Sequence, residues 1–222
     1  MVTGVLAKPA VAAPVDSVKR RQILDGARTV FLAEGFNGAS MGEIARVAGV
    51  SKGTLYVYFD SKETLFEALT IAERGSLAEA LFSLDETNPD TRAVLRQLGL
   101  SFLEMMMRPE HISSVRMVIG AADKFPRFGQ AFYESGPEVG NQRLRAYLDR
   151  QVEAGRLSIA DTDVAAQQFL NLCSSNMLKR RLFNVPDNRS TADEIVRVVD
   201  AALHMFFAAY APASPETTPI RG

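Results

Sequence analysis

Residues Ala39 to Phe66 read ASMGEIARVAGVSKGTLYVYFDSKETLF, a stretch that predicts two short helices, a tight turn and the start of a third helix. Ser40 and Glu43 have the spacing of a capping box: the hydroxyl bonds the backbone N–H three residues on, and the carboxylate reaches back to the Ser40 N–H. A helix from about Met41 to Ala48 follows. Gly49 supplies the residue that takes positive φ without a steric penalty just past a helix end, with Val50 as an apolar plug for the corner. Ser51 restarts the chain as a second N-cap. Two short helices around a glycine-containing turn form the helix-turn-helix pattern, whose second helix occupies the DNA major groove.

The second helix suits a surface contact better than a core. At 100° per residue, Leu55 and Phe59 share the face turned toward Ile44, Ala45 and Ala48, while Gly53, Thr54 and Val57 look the other way. Gly53 costs about 1 kcal/mol against Ala in an exposed helix, so its use is to let the helix approach another surface closely. Tyr56 and Tyr58 flank that strip with hydroxyls able to donate to phosphate oxygens. Lys52 and Lys62 add cations at the first turn of this helix and at the start of the next.

The run Gly49-Val50-Ser51-Lys52-Gly53-Thr54-Leu55-Tyr56, continued by Tyr58-Phe59 and Ser61-Lys62-Glu63, resembles the DNA-binding domain of the TetR/AcrR family of bacterial transcription regulators. That resemblance implies that Ser40, Ser51, Lys52, Gly53, Thr54, Tyr56, Val57, Tyr58 and Lys62 face DNA. Val57 stands where the family often has an aromatic residue, so a contact there is apolar, for example to a thymine methyl. Farther on, Lys124-Phe125-Pro126 and Phe132-Tyr133-Glu134-Ser135-Gly136-Pro137 are similar to the C-terminal domain of one subgroup of the same family.

Composition bounds the alternatives. The 222 residues suffice for one large or two small domains, and no apolar run approaches the length needed to span a membrane. The single cysteine, Cys173, has no intrachain partner, and the N-terminus lacks the pattern of a secretory signal, so the expected location is cytoplasmic. Net charge is −1, and residues 16–63 carry seven Lys or Arg against six Asp or Glu, so binding to DNA must rest on placed contacts rather than a broad basic field. Lys19, Arg20 and Arg21 cluster at the start of the first helix, within reach of a duplex backbone.

Punctuation by glycine and proline gives an all-α organisation: an N-terminal three-helix helix-turn-helix domain, then a C-terminal helical bundle for ligand binding and dimerisation. Residues 1–15 are expected as a flexible arm, 16–62 as the DNA-binding domain, 63–211 as the bundle and 212–222 as a flexible tail. Helices are predicted from Asp16 to Glu34, ended by Gly35, and from Ser61 to just before Asn88-Pro89. Further helices span 91–107, 111–123 and 126–133, with Pro109, Pro126 and Pro137 as breaks, then Val139 to Ala154, closed by Gly155. Asp161 or Asp163 caps the next, and the last runs from Ser190 to Tyr210.

In that last helix, Ile195, Val196, Val198, Val199, Leu203, Met205, Phe206 and Phe207 cover more than one face, which points to a homodimer contact, or else to a helix central to its own bundle. The resemblance implies pairing through the last two long helices, here about Asp163 to Phe183 and Ser190 to Tyr210. A small, hydrophobic effector is expected among Phe102, Met106, Met117, Phe132 and Phe169, since Met and Phe form adaptable apolar surface, although an ordinary core uses the same residues. His111, Arg116, Asn171 and Asn176 are polar residues among apolar ones, suited to a ligand, a dimer surface or backbone groups. Cys173 is either a thiol sensor or a buried structural thiol.

Other chemistry is poorly supported. Met105-Met106-Met107 point in different directions along a helix and cannot chelate one ion. His111, His204 and one cysteine make no zinc site. No phosphate loop, nucleophile elbow or paired catalytic motif occurs, so no enzyme activity, metal or cofactor is expected. Lys179-Arg180-Arg181 is accounted for by the dipole at a helix end. The sequence therefore predicts a dimeric transcription regulator, in the first place a repressor, that binds a palindromic double-stranded DNA operator and responds to a small molecule. The alternative is a ligand-binding helical dimer acting through protein contacts.

Overall fold

The computed structural model describes residues 14–174, 176–186 and 191–212, with side chains from Val18 onward. The expected arm and tail and the Ser190 cap lie outside these residues, apart from Pro14, Val15 and Pro212. The described elements are helical, and the chain divides into two compact units, Met1–Leu69 and Thr70–Gly222.

The first unit holds α1 (Pro14–Gly38), α2 (Met41–Val47), α3 (Lys52–Tyr58) and the start of α4 (Lys62–Leu81). Gly35 breaks α1 as expected, with φ 69° and ψ 173°, a conformation open to glycine, and helical bonding resumes from Ala39 N–H to the Gly35 carbonyl at 3.1 Å. This bend folds Phe36 back so that Phe31, Phe36 and Phe66 form a cluster with centroids 5.1–6.0 Å apart. Ile23, Ala27, Ile44, Leu55 and Leu65 are wholly buried around it.

The second unit contains α5 (Thr91–Met106), α6 (Pro109–Ala122), α7 (Pro126–Tyr133), α8 (Val139–Glu153), α9 (Thr162–Ser174), α10 (Met177–Leu182) and α11 (Thr191–Tyr210). Its core joins Phe82, Leu95, Leu103, Leu144, Tyr147, Phe169 and Phe206. Helices approach closely where glycine allows it: a Cβ on Gly99 would lie 2.8 Å from Val199 and 3.2 Å from the Cys173 sulfur, and one on Gly140 would lie 2.6 Å from the Phe82 ring. Buried Gln151 receives Thr91 Oγ1 at 2.9 Å and Arg156 Nε at 2.8 Å, tying α5 and α8 to the turn closed by Gly155 at φ 68°.

Four boundaries differ from expectation. Helix α4 stops at Leu81 because Asp85 Oδ1 accepts both the Thr87 N–H and hydroxyl, a local turn that competes with helix. Pro109 opens its helix two residues before the expected start, in the first turn where the missing N–H costs nothing, just as Pro126 opens α7 where expected. Pro137 does not break the chain: it sits in a wide π-turn, Glu134–Glu138, that carries α7 into α8. The long helix expected from Asp163 to Phe183 is two helices, with Ser174 Oγ turned back onto the Asn171 carbonyl at 3.1 Å where the first ends.

Candidate nucleic-acid interface

The reading head is built from caps. Ser40 Oγ accepts the Glu43 N–H at 3.2 Å and starts α2, and Gly49 takes φ 64° to turn the corner after its C-cap Ala48. Ser51 Oγ accepts the Thr54 N–H at 3.0 Å and starts α3. Only half of the expected capping box forms. The Glu43 carboxylate is held by Arg46, at 2.6 and 2.9 Å, so it does not return to the Ser40 N–H, and this exposed pairing lowers the Glu43 pKa.

Helix α3 is anchored by Leu55 and the C-cap Phe59, both buried with Ile44, Ala45 and Ala48, so its other side is free to face outward. Val57 is 82% exposed and Tyr56 50%, and Ser51, Lys52 and Gly53 are exposed beside them. Thr54 Oγ1 lies 2.8 Å from Ser51 Oγ, so the two hydroxyls share a proton link at the helix start. Tyr58 is half-buried. The Lys52 stem lies over Gly42, where a Cβ would come within 3.0 Å of it.

The flanking cations occupy different situations. Arg20 and Arg21 are exposed on α1, with the Arg20 guanidinium 5.4 Å from the Phe59 ring, and Lys19 donates to Gln22 at 3.0 Å. Lys62 turns inward: its ammonium donates to the carbonyls of Ala39 at 2.8 Å and Asn37 at 3.5 Å and lies 4.7 Å from the Phe36 ring. It thus staples the connection that presents Ser40. Two residues outside the sequence reading complete the scaffold. Gln22 donates to the Ala48 carbonyl at 2.7 Å, and Gly26 lets α1 close on α2, since a Cβ there would lie 2.6–2.7 Å from Ala48. A glycine on the apolar side of a helix was the available signal.

The expected effector residues do not form one group. Phe169 and Cys173 belong to the main core of the second unit, with Phe102 and Met106 half-buried against it, and burial pushes the Cys173 thiol up to about 12. Arg116 is exposed rather than embedded: its guanidinium donates to the carbonyls of Leu182 at 2.9 Å and Arg181 at 2.5 Å, capping α10. Asn176 and Asn171 are also exposed, Asn176 preceding α10, and Met117 is half-buried on α6. His111 and Phe132 do come together, around Arg74, a residue the sequence reading missed. Its signal was a charge in the buried row Phe66, Thr70, Arg74 and Ala78. Among the described residues, no group of three metal-binding side chains occurs and no helix is long and apolar enough to cross a membrane.

Residues 23–69 match the family model for bacterial regulatory proteins of the tetR family, and residues 93–212, more than half the chain, match the C-terminal domain of AefR-like transcriptional repressors. The chain belongs to the TetR family. Relatives include the HTH-type transcriptional repressor AcnR of Corynebacterium efficiens, 37% identical over 65% of this TetR-family chain and 70% of that protein. The HTH-type transcriptional regulator AcrR of Shigella flexneri is 33% identical over 41% of this chain, a match that spans only 43% of AcrR. Among solved structures, the flavonoid-responsive regulator FrrA superposes with a TM-score of 0.73 at 32% identity, over 89% of this chain and all of that one. These relatives are regulators and not enzymes.

Proposed function

We propose that this TetR-family chain is a cytoplasmic transcriptional repressor that binds a palindromic operator as a dimer and is released by a small effector. The observation that carries this reading is α3 itself, capped by Ser51, anchored through Leu55 and Phe59, and exposed at Tyr56 and Val57. Lys19, Arg20, Arg21, Ser40, Tyr56 and Tyr58 hold phosphates and set register, while Lys52, Thr54 and Val57, with Gly53 permitting close approach, reach base edges. Ser51 shapes the helix start, and Lys62 positions Ser40 through the Asn37 and Ala39 carbonyls.

Dimerisation uses the outer faces of α9 and α11, where Val164, Val196 and Met205 are exposed in the single chain. Two-fold pairing sets two reading helices on half-sites about 34–36 Å apart or a multiple of that spacing. Effector binding in the second unit acts through α4, which belongs to both units. A coupling of about 1–3 kcal/mol would change operator affinity roughly 5- to 150-fold. The repressor AcnR and the flavonoid-responsive FrrA support repression and a small effector. Footprinting on DNA flanking the protein's own gene, with and without a flavonoid, tests the reading. A protected palindrome is expected, and absence of protection on any such DNA would overturn it.

A further inference from the structure

Arg74 is a buried cation bonded to a neutral group. Only 8% of its surface is exposed, and its Nη1 lies 2.7 Å from Nδ1 of His111 on α6. A guanidinium only donates, so Nδ1 must be the bare nitrogen of the imidazole and the ring proton sits on Nε2. The Phe132 ring on α7 lies against the guanidinium, 4.3 Å from Cζ to centroid, and Gly136 in the π-turn packs beside the Arg74 stem, where a Cβ would lie 3.5 Å away.

Burial pushes Arg74 down to about 10, and burial together with the Arg74 charge pushes His111 down to about 4, so at neutral pH the pair is one cation beside a neutral ring. Glu73, the preceding residue, acts on Arg74 through space. Among the described residues no carboxylate is bonded to Arg74 itself, and its bond to His111 uses one of its five donors. A guanidinium presents a planar fork matched to a carboxylate, and a buried charge is costly until such a partner completes it.

We propose that Arg74, His111 and Phe132 form the recognition site for a small organic acid. Its carboxylate is forked by Arg74, whose guanidinium His111 holds in place by accepting from Nη1 at Nδ1, and an apolar body lies along Phe132. This rests on the reading of the second unit as the effector-binding part and refines it, from a merely hydrophobic ligand to an anionic one. Arg74 stands on the same helix as Lys62, so an acid bound there acts on the helix that belongs to both units.

The test uses the full-length protein with benzoate and cinnamate, each against its neutral amide, followed by calorimetric titration and thermal melting. The acids are expected to bind and to raise the melting temperature with concentration, and the amides are not. Arg74→Gln should weaken acid binding at least tenfold. Arg74→Lys, which keeps the charge and loses the fork, serves if Arg74→Gln does not melt cooperatively, and should weaken it several-fold. Acids that bind no better than the amides, or equally well to the variants, would overturn the site. Operator binding with the same compounds separates the two readings: acids that bind through Arg74 yet leave operator affinity unmoved sink the effector role and keep the anion site. Release by the amides that persists in Arg74→Gln does the reverse.

Discussion

The two units place their chemistry on opposite sides of the backbone. In the first, α3 spends its apolar residues on anchoring and holds its polar and aromatic groups outward, with Val57 and Tyr56 among the exposed large side chains. In the second, Arg74 on α4 and His111 on α6 lie inside, bonded directly to each other. An outward site needs only rigid caps and an anchor, because water solvates its groups until a partner arrives. An inward site needs each polar group matched by the surrounding fold or by a ligand, so it is sensitive to protonation and to core substitution. The proposed roles, DNA reading by the first and sensing by the second, suit that division.

Phe206→Ala strikes the inward side hardest. Phe206 is 1% exposed, with Phe169, Phe207 and Tyr210 rings 4.9–5.8 Å away, and its removal should cost about 3–5 kcal/mol of stability in urea unfolding. A loss below 1 kcal/mol would show that the second unit is not held by this core. Acid comes next. His111 has an ordinary value of 6.5 and is held near 4 in the fold, so between those pH values the unfolded chain binds the extra proton. Stability therefore falls as pH drops through 6.5 and its His111 share is gone by about pH 4, a loss of up to about 3 kcal/mol. His111→Gln should flatten the unfolding profile over that window, and an unchanged slope would break the assignment of a buried neutral histidine.

What could be read in advance divides along the same line. Ser40, Gly49, Ser51 and Leu55 act over one helical turn, so their roles are written in neighbouring letters, and the structure places each cap where the spacing puts it. Glu43 departs because a second local partner, Arg46, three residues on, competes for the carboxylate. The Arg74 to His111 bond joins residues 37 apart, and Arg116 reaches carbonyls 65 and 66 residues away. No periodicity in a single helix encodes such pairings. For the same reason the sequence left ligand surface and ordinary core open for Phe102, Met106 and Phe169, of which Phe169 lies in the main core and the other two are half-buried against it.

Gly26→Ala carries the comparison to the outward unit. The added methyl would meet Ala48 backbone and side-chain atoms at 2.6–2.7 Å, contacts that a flexible side chain cannot relieve. Overpacking of this kind costs about 1–3 kcal/mol, and here it separates α1 from the end of α2. Operator affinity in a gel-shift titration should drop with it, while acid binding at Arg74 is retained. If both activities fall together, the two units do not respond separately.

Val57→Ala gives the smallest change in stability and separates anchoring from reading most sharply. An 82% exposed side chain holds up nothing in the free protein, so its truncation should alter stability by no more than about 0.5 kcal/mol. If Val57 meets a thymine methyl, however, losing two methyl groups removes an apolar contact that no water can replace. Selection of preferred sequences from a random pool should then show relaxed choice at one symmetric pair of positions, at a cost of about 1 kcal/mol on the favoured base. Thr54→Ala provides the contrast, because Thr54 Oγ1 is also linked to the Ser51 cap and its loss disturbs the helix start as well as any base contact. A Val57→Ala protein with unaltered preferences would mean that the exposed face of α3 reads through its polar edge alone, leaving Lys52 and Thr54 as the residues that distinguish one operator from another.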